Sequence, residues 1–479
     1  MQQKSLAKNY MFNIIKTVMG MIFPLITFPY ATRVLGVESL GKINYATSIV
    51  NYFLLFSMLG LQTYAIREGA GYREDRQKFS KFATEMFIIN SMLTIVAYIA
   101  FAFSLVMVPQ FEEYRVLLAI SSTTIVFNTL GFNWVYNVFE EYEYITVRAI
   151  LFQIVSLCAL LMWVKNSDDY YIYAIITVFA SAGSNVCNLI RIRRYLHLFP
   201  GGKYELKKHM RPIVTIFGMS IAGTIYQDSD ITIIGFLKGD VAVGLYSAAV
   251  KIMYVITSMV SSLGTVILPR MSFYMKSGMR QEYDKLSEKS IDFILMLTIP
   301  ISVGVFLLSR EMLLLVCGKE FADAADALRL LTINIILSPL NGVVVNQLFI
   351  TMGREITSLK VMMVSCIFNI VGNLIFIPWA GYEAAAVTTV LSEMIVLALF
   401  IGSSYKEVPI FHFFSNIRQY ILAAVVMAVA VLGIKCMISG YGVFISIPVG
   451  ACIYFSLLKL MKNPLTEEGL KMIKERVKI

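Results

Sequence analysis

Residues 9–31 read NYMFNIIKTVMGMIFPLITFPYA and carry one charged side chain, Lys16. The hydrocarbon core of a bilayer is about 30 Å thick and an α-helix rises about 1.5 Å per residue, so about 20 such residues suffice to cross it. The sequence predicts an all-α integral membrane protein with fourteen transmembrane helices. They lie near residues 9–31, 43–64, 83–107, 116–139, 149–164, 170–190, 213–237, 243–267, 290–308, 327–351, 357–378, 384–403, 419–438 and 442–459.

The composition excludes an ordinary soluble domain. Of 479 residues, 58% are hydrophobic and 15% are charged, whereas soluble domains average about 45 to 50% and about 25%. A chain this apolar would expose large patches to water and aggregate, but a bilayer accepts the same surface. The formal charge of +10 does not indicate nucleic-acid binding, because its distribution follows the membrane topology.

The distribution of Lys and Arg predicts the orientation. With the N-terminus in the cytoplasm and the helices alternating, 30 of the 41 Lys and Arg fall on the cytoplasmic side and nine on the other, while Lys16 and Lys251 lie within helices. Cytoplasmic loops of membrane proteins carry the excess of positive charge. We therefore expect fourteen crossings, with both termini in the cytoplasm.

The two halves of the chain show an internal repeat. A basic loop, residues 191–212, separates the first six predicted helices from the next six. At an offset of 203 residues, Gly41 matches Gly244 and Arg67 matches Arg270. Parallel repeats of this kind place a transport cavity at their interface. The predicted organisation is a six-helix bundle at 1–190, a linker at 191–212, a second bundle at 213–404, and helices 13 and 14 with a tail at 405–479.

Five short runs of residues carry a resemblance to a known family. They are Phe23-Pro24-Leu25-Ile26-Thr27-Phe28-Pro29-Tyr30 with Arg33-Val34-Leu35-Gly36, then Tyr64-Ala65-Ile66-Arg67-Glu68, and Asp230-Ile231-Thr232-Ile233-Ile234-Gly235 with Val243-Gly244-Leu245-Tyr246-Ser247-Ala248-Ala249. The chain resembles the polysaccharide transporter family of Wzx-type O-antigen and capsule flippases, within the MATE-like MOP exporter superfamily.

The resemblance implies a fold, a substrate class and a location. It implies two six-helix bundles that form a V, with two further C-terminal helices. It also implies alternating access that moves undecaprenyl-pyrophosphate-linked oligosaccharide, an O-antigen or capsule repeat unit, to the outer leaflet. The protein would serve polysaccharide or lipopolysaccharide biosynthesis in the bacterial cytoplasmic membrane. Membrane lipids, a proton or sodium ion, and other polysaccharide assembly proteins are the expected partners.

Five cationic side chains are candidates for contacting such a substrate. Charges inside transmembrane helices are costly and usually functional, so Lys16 and Lys251 predict phosphate or sugar-acid contacts, or alternatively snorkelling or an ion pair. Arg67 and Arg270 occupy equivalent repeat positions at cytoplasmic helix ends, where they would capture pyrophosphate or merely satisfy the charge rule. Arg33 lies on the outer side as a candidate exit contact or a solvated loop charge.

Carboxylates within helices are candidates for coupling to an ion gradient. Asp228 and Asp230 lie in helix 7, where they would bind the coupling ion or proton, or pair with Lys251. Glu393 lies in the middle of helix 12 and is a second candidate for proton relay. Tyr226, beside the aspartates, is a candidate for sugar stacking.

Several functions are disfavoured by the sequence. We predict no enzyme, since no sizeable outer loop presents catalytic groups and the histidines, His197, His209 and His412, fall at cytoplasmic loops. The chain has no GxxxxGK[ST] loop, and its six cysteines have no metal-ligand spacing, so we expect no cofactor and no metal site. A MATE-like organic-cation or drug antiporter and a lipid II-type flippase remain alternatives.

Overall fold

The computed structural model describes residues 6–404, 416–437 and 442–477. Throughout these residues the regular structure is helical and no strand occurs. The α-helices are α1 (Leu6–Met58), α2 (Leu61–Gly69), α3 (Arg76–Met107), α4 (Phe111–Leu130), α5 (Asn133–Val138), α6 (Tyr142–Trp163), α7 (Tyr170–Ala182), α8 (Val186–Arg191), α9 (Leu206–Lys238), α10 (Asp240–Lys276), α11 (Arg280–Val316), α12 (Ala325–Val343), α13 (Glu355–Ser404), α14 (Ile417–Met437), α15 (Gly442–Leu460) and α16 (Pro464–Val477). A π-helical turn, Val344–Phe349, follows α12.

Ten helical segments among the described residues are long and apolar enough to cross a membrane. Two of them span 62 and 49 residues, about two to three times the length that one crossing needs. Each contains a backbone break, at Gly36 in α1 and at Gly381 in α13. The structure thus confirms an all-helical protein with many apolar helices, while the count of fourteen crossings stays a prediction.

Two of the helix breaks share one backbone conformation. Gly36 has φ 76° and ψ 179°, and Gly239, between α9 and α10, has φ 79° and ψ −174°. This combination is essentially restricted to glycine, because a Cβ would clash with the backbone. The two glycines are 203 residues apart, which is the offset that the sequence predicted from Gly41 and Gly244.

The same offset relates two close backbone contacts beside these breaks. A Cβ added at Gly41 would overlap the carbonyl oxygen of Asp240, and one added at Gly244 would overlap the carbonyl oxygen of Val37. Adding 203 to 37 and to 41 gives 240 and 244, so the two contacts are reciprocal. A two-fold relation between equivalent segments produces this pattern, because each segment then makes with its partner the contact that the partner makes with it.

The chain divides into two compact units, Met1–Gly244 and Leu245–Ile479. In the first unit, α9 packs against α1, α2 and α3, although the sequence assigned this helix to the second bundle. The predicted boundaries at 190, 213 and 404 stay predictions. The aromatic core of this unit contains Phe79, Phe82, Trp134 and Phe139, all buried.

In the second unit, the two C-terminal apolar helices α14 and α15 pack against α11. A buried carboxylate fixes this packing: Asp292 of α11 accepts hydrogen bonds from Tyr420 Oη at 2.8 Å and from Asn416 Nδ2 at 3.0 Å. Tyr454 Oη of α15 donates to the Met296 carbonyl at 2.9 Å. Buried polar groups need such partners, so α14 and α15 have a specific attachment as well as an apolar one.

Candidate functional site

Asp228, a predicted coupling residue of α9, lies on a polar seam with the second half of α1. Asn51 Nδ2 donates to Asp228 Oδ1 at 3.2 Å. One turn further, Thr232 Oγ1 donates to Ser48 Oγ at 3.0 Å and lies 3.1 Å from Tyr52 Oη. These contacts hold the Asp228 carboxylate at a helix interface among neutral hydrogen-bonding groups.

The other two candidates of this segment flank Asp228 on the same helix. Asp230 is buried and Tyr226 is half-buried. Residues two apart do not share a face of a helix, and Asp230 is accordingly more buried than Asp228. The structure therefore groups Tyr226, Asp228 and Asp230 within two turns of α9.

The two lysines inside helices are both exposed. Lys16 lies in the first half of α1 and Lys251 lies in α10. A cation at membrane depth is expensive unless water, a counter-charge or an anionic ligand surrounds it. Two helices of this protein thus carry an exposed lysine within an apolar sequence.

The three arginine candidates are exposed. Arg67 lies in the last turn of α2, whereas Arg270, expected at a helix end, lies inside α10, which continues to Lys276. The guanidinium of Arg67 lies 6.0 Å from the ring centre of Tyr64, and Arg270 Nε donates to Tyr274 Oη at 2.8 Å. Each of these arginines therefore rests on a tyrosine of its own helix or its neighbouring turn, an arrangement that orients the guanidinium. Arg33 is exposed three residues before the break at Gly36.

The cationic candidates do not form a single cluster. Lys251 and Arg270 belong to the same helix, and 19 residues of α10 separate them by roughly 28 Å along its axis. One phosphate group cannot contact both. If both serve transport, they contact the substrate at different stages of its path.

Glu393, in the second half of α13, is held by α12. Asn341 Nδ2 donates to its Oε2 at 2.5 Å and to its backbone oxygen at 3.0 Å. An amide that donates to both positions fixes the carboxylate at this helix contact. Asn341 thus holds the Glu393 side chain in one position within the second unit. The role of Glu393 in proton relay stays a prediction.

A buried hydrogen-bonded group that the sequence missed joins α2, α3 and α9. His209 Nδ1 lies 2.7 Å from Tyr64 Oη, and His209 Nε2 lies 3.0 Å from Glu85 Oε2. The expectation that His209 falls at a loop was wrong, because α9 begins earlier, at Leu206, and buries this side chain. His412 lies outside the described residues.

Polar side chains at the start of α3 also bind the linker that precedes α9. Ser80 Oγ, Thr84 Oγ1 and Glu85 Oε1 accept the backbone N–H groups of residues 197, 199 and 205 at 3.0, 3.1 and 2.8 Å. Ser80 and Thr84 are four residues apart and share a helix face. That spacing was the only sequence signal for this contact.

An apolar cavity of about 300 Å³ lies between α11, α14 and α15, with Ile256 of α10 at its edge. Pro300 and Gly304 line it from α11, and Met427 and Gly450 line it from the C-terminal pair. A hydrocarbon chain is the type of ligand that such a lining accepts.

These features define a class of multi-pass membrane protein with the fold of flippases and multidrug exporters. The structure of the lipid II flippase MurJ, in an inward closed conformation, matches with a TM-score of 0.78 at 15% identity and covers 95% of this chain and 99% of MurJ. An inward-facing MATE multidrug transporter of the MOP superfamily matches with a TM-score of 0.63 at 14% identity, over 82% and 97%. At these identities the likeness shows the fold.

The family follows from the sequence match. The model described as "Polysaccharide biosynthesis protein" matches residues 6–275, more than half of the chain, and the chain belongs to this family. The family resemblance predicted from the residues is therefore confirmed.

Curated relatives match over part of their length. A putative O-antigen transporter of Escherichia coli (strain K12) is 23% identical over 56% of this chain and 65% of its own length. A probable low-salt glycan biosynthesis flippase of Haloferax volcanii is 26% identical over 53% and 54%. A putative O-antigen transporter of Shigella dysenteriae is 20% identical over 78% and 94%. The chain thus spans less than two thirds of the first two relatives.

Proposed function

We propose that this protein is a flippase that moves a lipid-linked polysaccharide precursor across the membrane. The observation that carries the proposal is the pair of exposed lysines, Lys16 and Lys251, within apolar helices. An anionic substrate is the ligand that favours a cation at that depth. The family match and the relatives described as O-antigen transporters or glycan flippases support this substrate class.

The finer proposal names the substrate as undecaprenyl-pyrophosphate-linked oligosaccharide, an O-antigen or capsule repeat unit, moved from the cytoplasmic to the outer leaflet by alternating access. Its pyrophosphate requires cations, which Lys251, Lys16, Arg67 and Arg270 supply at different depths. Its polyprenyl tail requires an apolar surface. The cavity between α11, α14 and α15 supplies that surface, because its lining is almost wholly apolar.

We further propose fourteen crossings, with both termini in the cytoplasm of a bacterial cell. Counting α1 and α13 twice, at Gly36 and Gly381, adds two crossings to the ten apolar segments. The helices α4 and α9 add two more, at lengths of 20 and 33 residues. The excess of Lys and Arg on one side supports the cytoplasmic location of the termini and the cytoplasmic membrane.

Export is expected to depend on Lys251. Lys251→Ala should lower translocation of the lipid-linked glycan at least about tenfold, because a charge-assisted phosphate contact is worth roughly 1.5 to 3 kcal/mol, and Lys251→Arg should retain part of it. The measurement is the lipid-linked glycan that accumulates on the cytoplasmic leaflet of a deletion strain complemented with each variant. Lys319→Ala removes an exposed lysine at the start of the short 3-10 helix Lys319–Ala324 and is the matched control.

The proposed role of Lys251 fails if Lys251→Ala exports normally at equal expression. The glycan that accumulates in the deletion strain identifies the substrate independently of this variant. If no glycan precursor accumulates at all, the flippase function itself is wrong.

Coupling to a proton or sodium gradient is proposed for Asp228, with Asp230 and Glu393 as further carriers. In reconstituted vesicles, translocation should respond to an imposed gradient of one of these ions, and Asp228→Asn should abolish most of that response while leaving Asn51 a hydrogen-bond partner. Asp168→Asn, at an exposed position of the 3-10 helix Ser167–Asp169, is the control. Translocation that ignores both gradients in the wild-type protein would remove all three carboxylates from this role.

The alternative of an organic-cation antiporter draws on the same carboxylates and on the likeness to the MATE transporter. It predicts gradient-driven efflux of organic cations and indifference to Lys251→Ala. A lipid II-type flippase shares the phosphate chemistry, and the accumulated precursor distinguishes it from an O-antigen or capsule flippase.

A further inference from the structure

A polar pocket of about 470 Å³ lies in the first unit, between the start of α6 and α8. Its lining includes the charged residues Glu141, Arg148 and Arg191, the aromatic ring of Tyr144, and the apolar side chains Val147 and Leu151. None of the nine residues assigned to transport lines this pocket. A pocket lined by both charged and apolar side chains suits a ligand that has a charged group and an apolar part.

Arg148 is the central residue of the pocket. Its side chain is deeply buried, with 7% of the residue exposed. Its Nη2 donates to Asn133 Oδ1 at 3.0 Å, but Nε and Nη1 are buried without a hydrogen-bond partner among the residues that the structure describes. An arginine side chain is always charged and has five N–H donors. Burying it with donors unused is costly unless an anion completes the site.

The neighbouring carboxylates are engaged elsewhere. Glu141 Oε2 pairs with Arg191 Nη2 at 3.3 Å, and Glu143 Oε2 pairs with Lys8 Nζ at 2.7 Å. Arg191 also lies over the ring of Tyr144, with its guanidinium 4.3 Å from the ring centre. The two carboxylates thus pair with Arg191 and Lys8, and Arg148 forms no ion pair with a carboxylate among the residues that the structure describes.

The rim of the pocket indicates where the anion comes from. Val147 and Leu151 line it and are 47% and 55% exposed. The same face of α6 continues with Ile154 and Val155, which are also about half exposed, at the i, i+4, i+7 and i+8 spacing of a lipid-facing stripe. The pocket therefore opens where a phosphate group and acyl chains occur together.

We propose that this pocket binds the phosphate of an anionic phospholipid of the cytoplasmic leaflet. Arg148 and Arg191 supply positive charge to the phosphate from the wall of the pocket, and the acyl chains follow the stripe of α6. Arg148 lies at the depth expected for a lipid phosphate, because it is only six residues into α6. This end of α6 is the one that the charge distribution predicts to be cytoplasmic. Arginine is the side chain best suited to such a contact, since its guanidinium matches phosphate geometry.

The test measures protection of the purified full-length protein against thermal unfolding in a neutral detergent. Three probes are added separately: dioleoylphosphatidylglycerol, dioleoylphosphatidylcholine and inorganic phosphate. The phosphatidylglycerol should protect the wild-type protein saturably and more strongly than the other two. Arg148→Gln should raise the concentration needed for half protection about tenfold, and Arg148→Lys should have a smaller effect.

Arg194→Gln is the matched control, because it removes the same charge from the same end of the first unit at an exposed position. It should bind phosphatidylglycerol as the wild type does. If Arg148→Gln does not fold, Val147→Asp places a carboxylate at the exposed rim and should weaken binding of phosphatidylglycerol similarly.

Three results would overturn the proposal. Equal protection of wild type and Arg148→Gln, or of wild type and Val147→Asp, would show that the anion does not bind here. Equal protection by phosphatidylcholine would show that the pocket responds to acyl chains alone. Protection by inorganic phosphate as strong as that by the lipid would identify a free anion as the ligand.

Discussion

Gly41→Ala and Gly244→Ala are each expected to destabilise the folded protein by about 3 kcal/mol, at the upper end of the cost of overpacking. The added Cβ would overlap a backbone carbonyl oxygen, of Asp240 in one case and of Val37 in the other. A flexible side chain could move away from such a contact, but a helical backbone moves only with its whole helix. Thermal unfolding in detergent, together with the yield of folded protein, measures the effect.

The reciprocal geometry gives a sharper version of this prediction. Because both contacts hold the same two segments together, the first alanine separates them and the second should add little. The cost of the double variant should therefore be clearly less than the sum of the single costs. Gly20→Ala is the control, since no heavy atom lies within 4 Å of a Cβ at that position of α1. Additive costs, or single variants as stable as this control, would contradict the reciprocal contact.

The second large effect is expected at the two equivalent helix breaks. Gly36→Ala and Gly239→Ala should each destabilise the protein by about 1 to 3 kcal/mol, because residues with a Cβ rarely adopt positive φ with ψ near 180°. At Gly239 no heavy atom lies within 4 Å of an added Cβ, so the backbone conformation alone accounts for the cost there. The midpoint of thermal unfolding is again the measurement.

Asparagine should not rescue either break. It tolerates the left-handed helical region, where ψ is near 47°, but not an extended ψ at positive φ. Gly71→Ala, at a glycine without positive φ and with open space around it, is the control. Unchanged stability of Gly239→Ala would mean that the break at this position adapts to a Cβ, and the equivalence with Gly36 would then lose its physical basis.

Much of the fold could be predicted from local properties of the sequence. Apolar runs of about 20 residues specify membrane helices because the bilayer imposes one length on every crossing. The repeat was also visible, since the offset between Gly41 and Gly244 is the offset between the breaks at Gly36 and Gly239. Lys16 and Lys251 were recognisable as candidates because each charge stands alone in an apolar segment.

The partners of the polar residues were not predictable. The sequence placed His209 at a loop, whereas the structure buries it between Tyr64 and Glu85. Arg148 counted only as one positive charge on the cytoplasmic side, and its burial depends on Asn133 and on the way α6 and α8 enclose the pocket. These contacts join residues far apart in sequence, with no periodic signal to reveal them.

The amino-acid sequence by itself determined that this protein belongs in a lipid bilayer, that it is helical, which family it belongs to and where its unusual intramembrane charges lie. These are properties of single segments, set by the transfer of side chains between water and lipid. Only the tertiary structure decided which charged side chains have a partner of opposite charge, because such a pair depends on distances between different helices. In the sequence Arg148 is one of the positive charges on the cytoplasmic side, whereas in the fold it is a buried cation with two donors unused, and this difference defines the proposed lipid site.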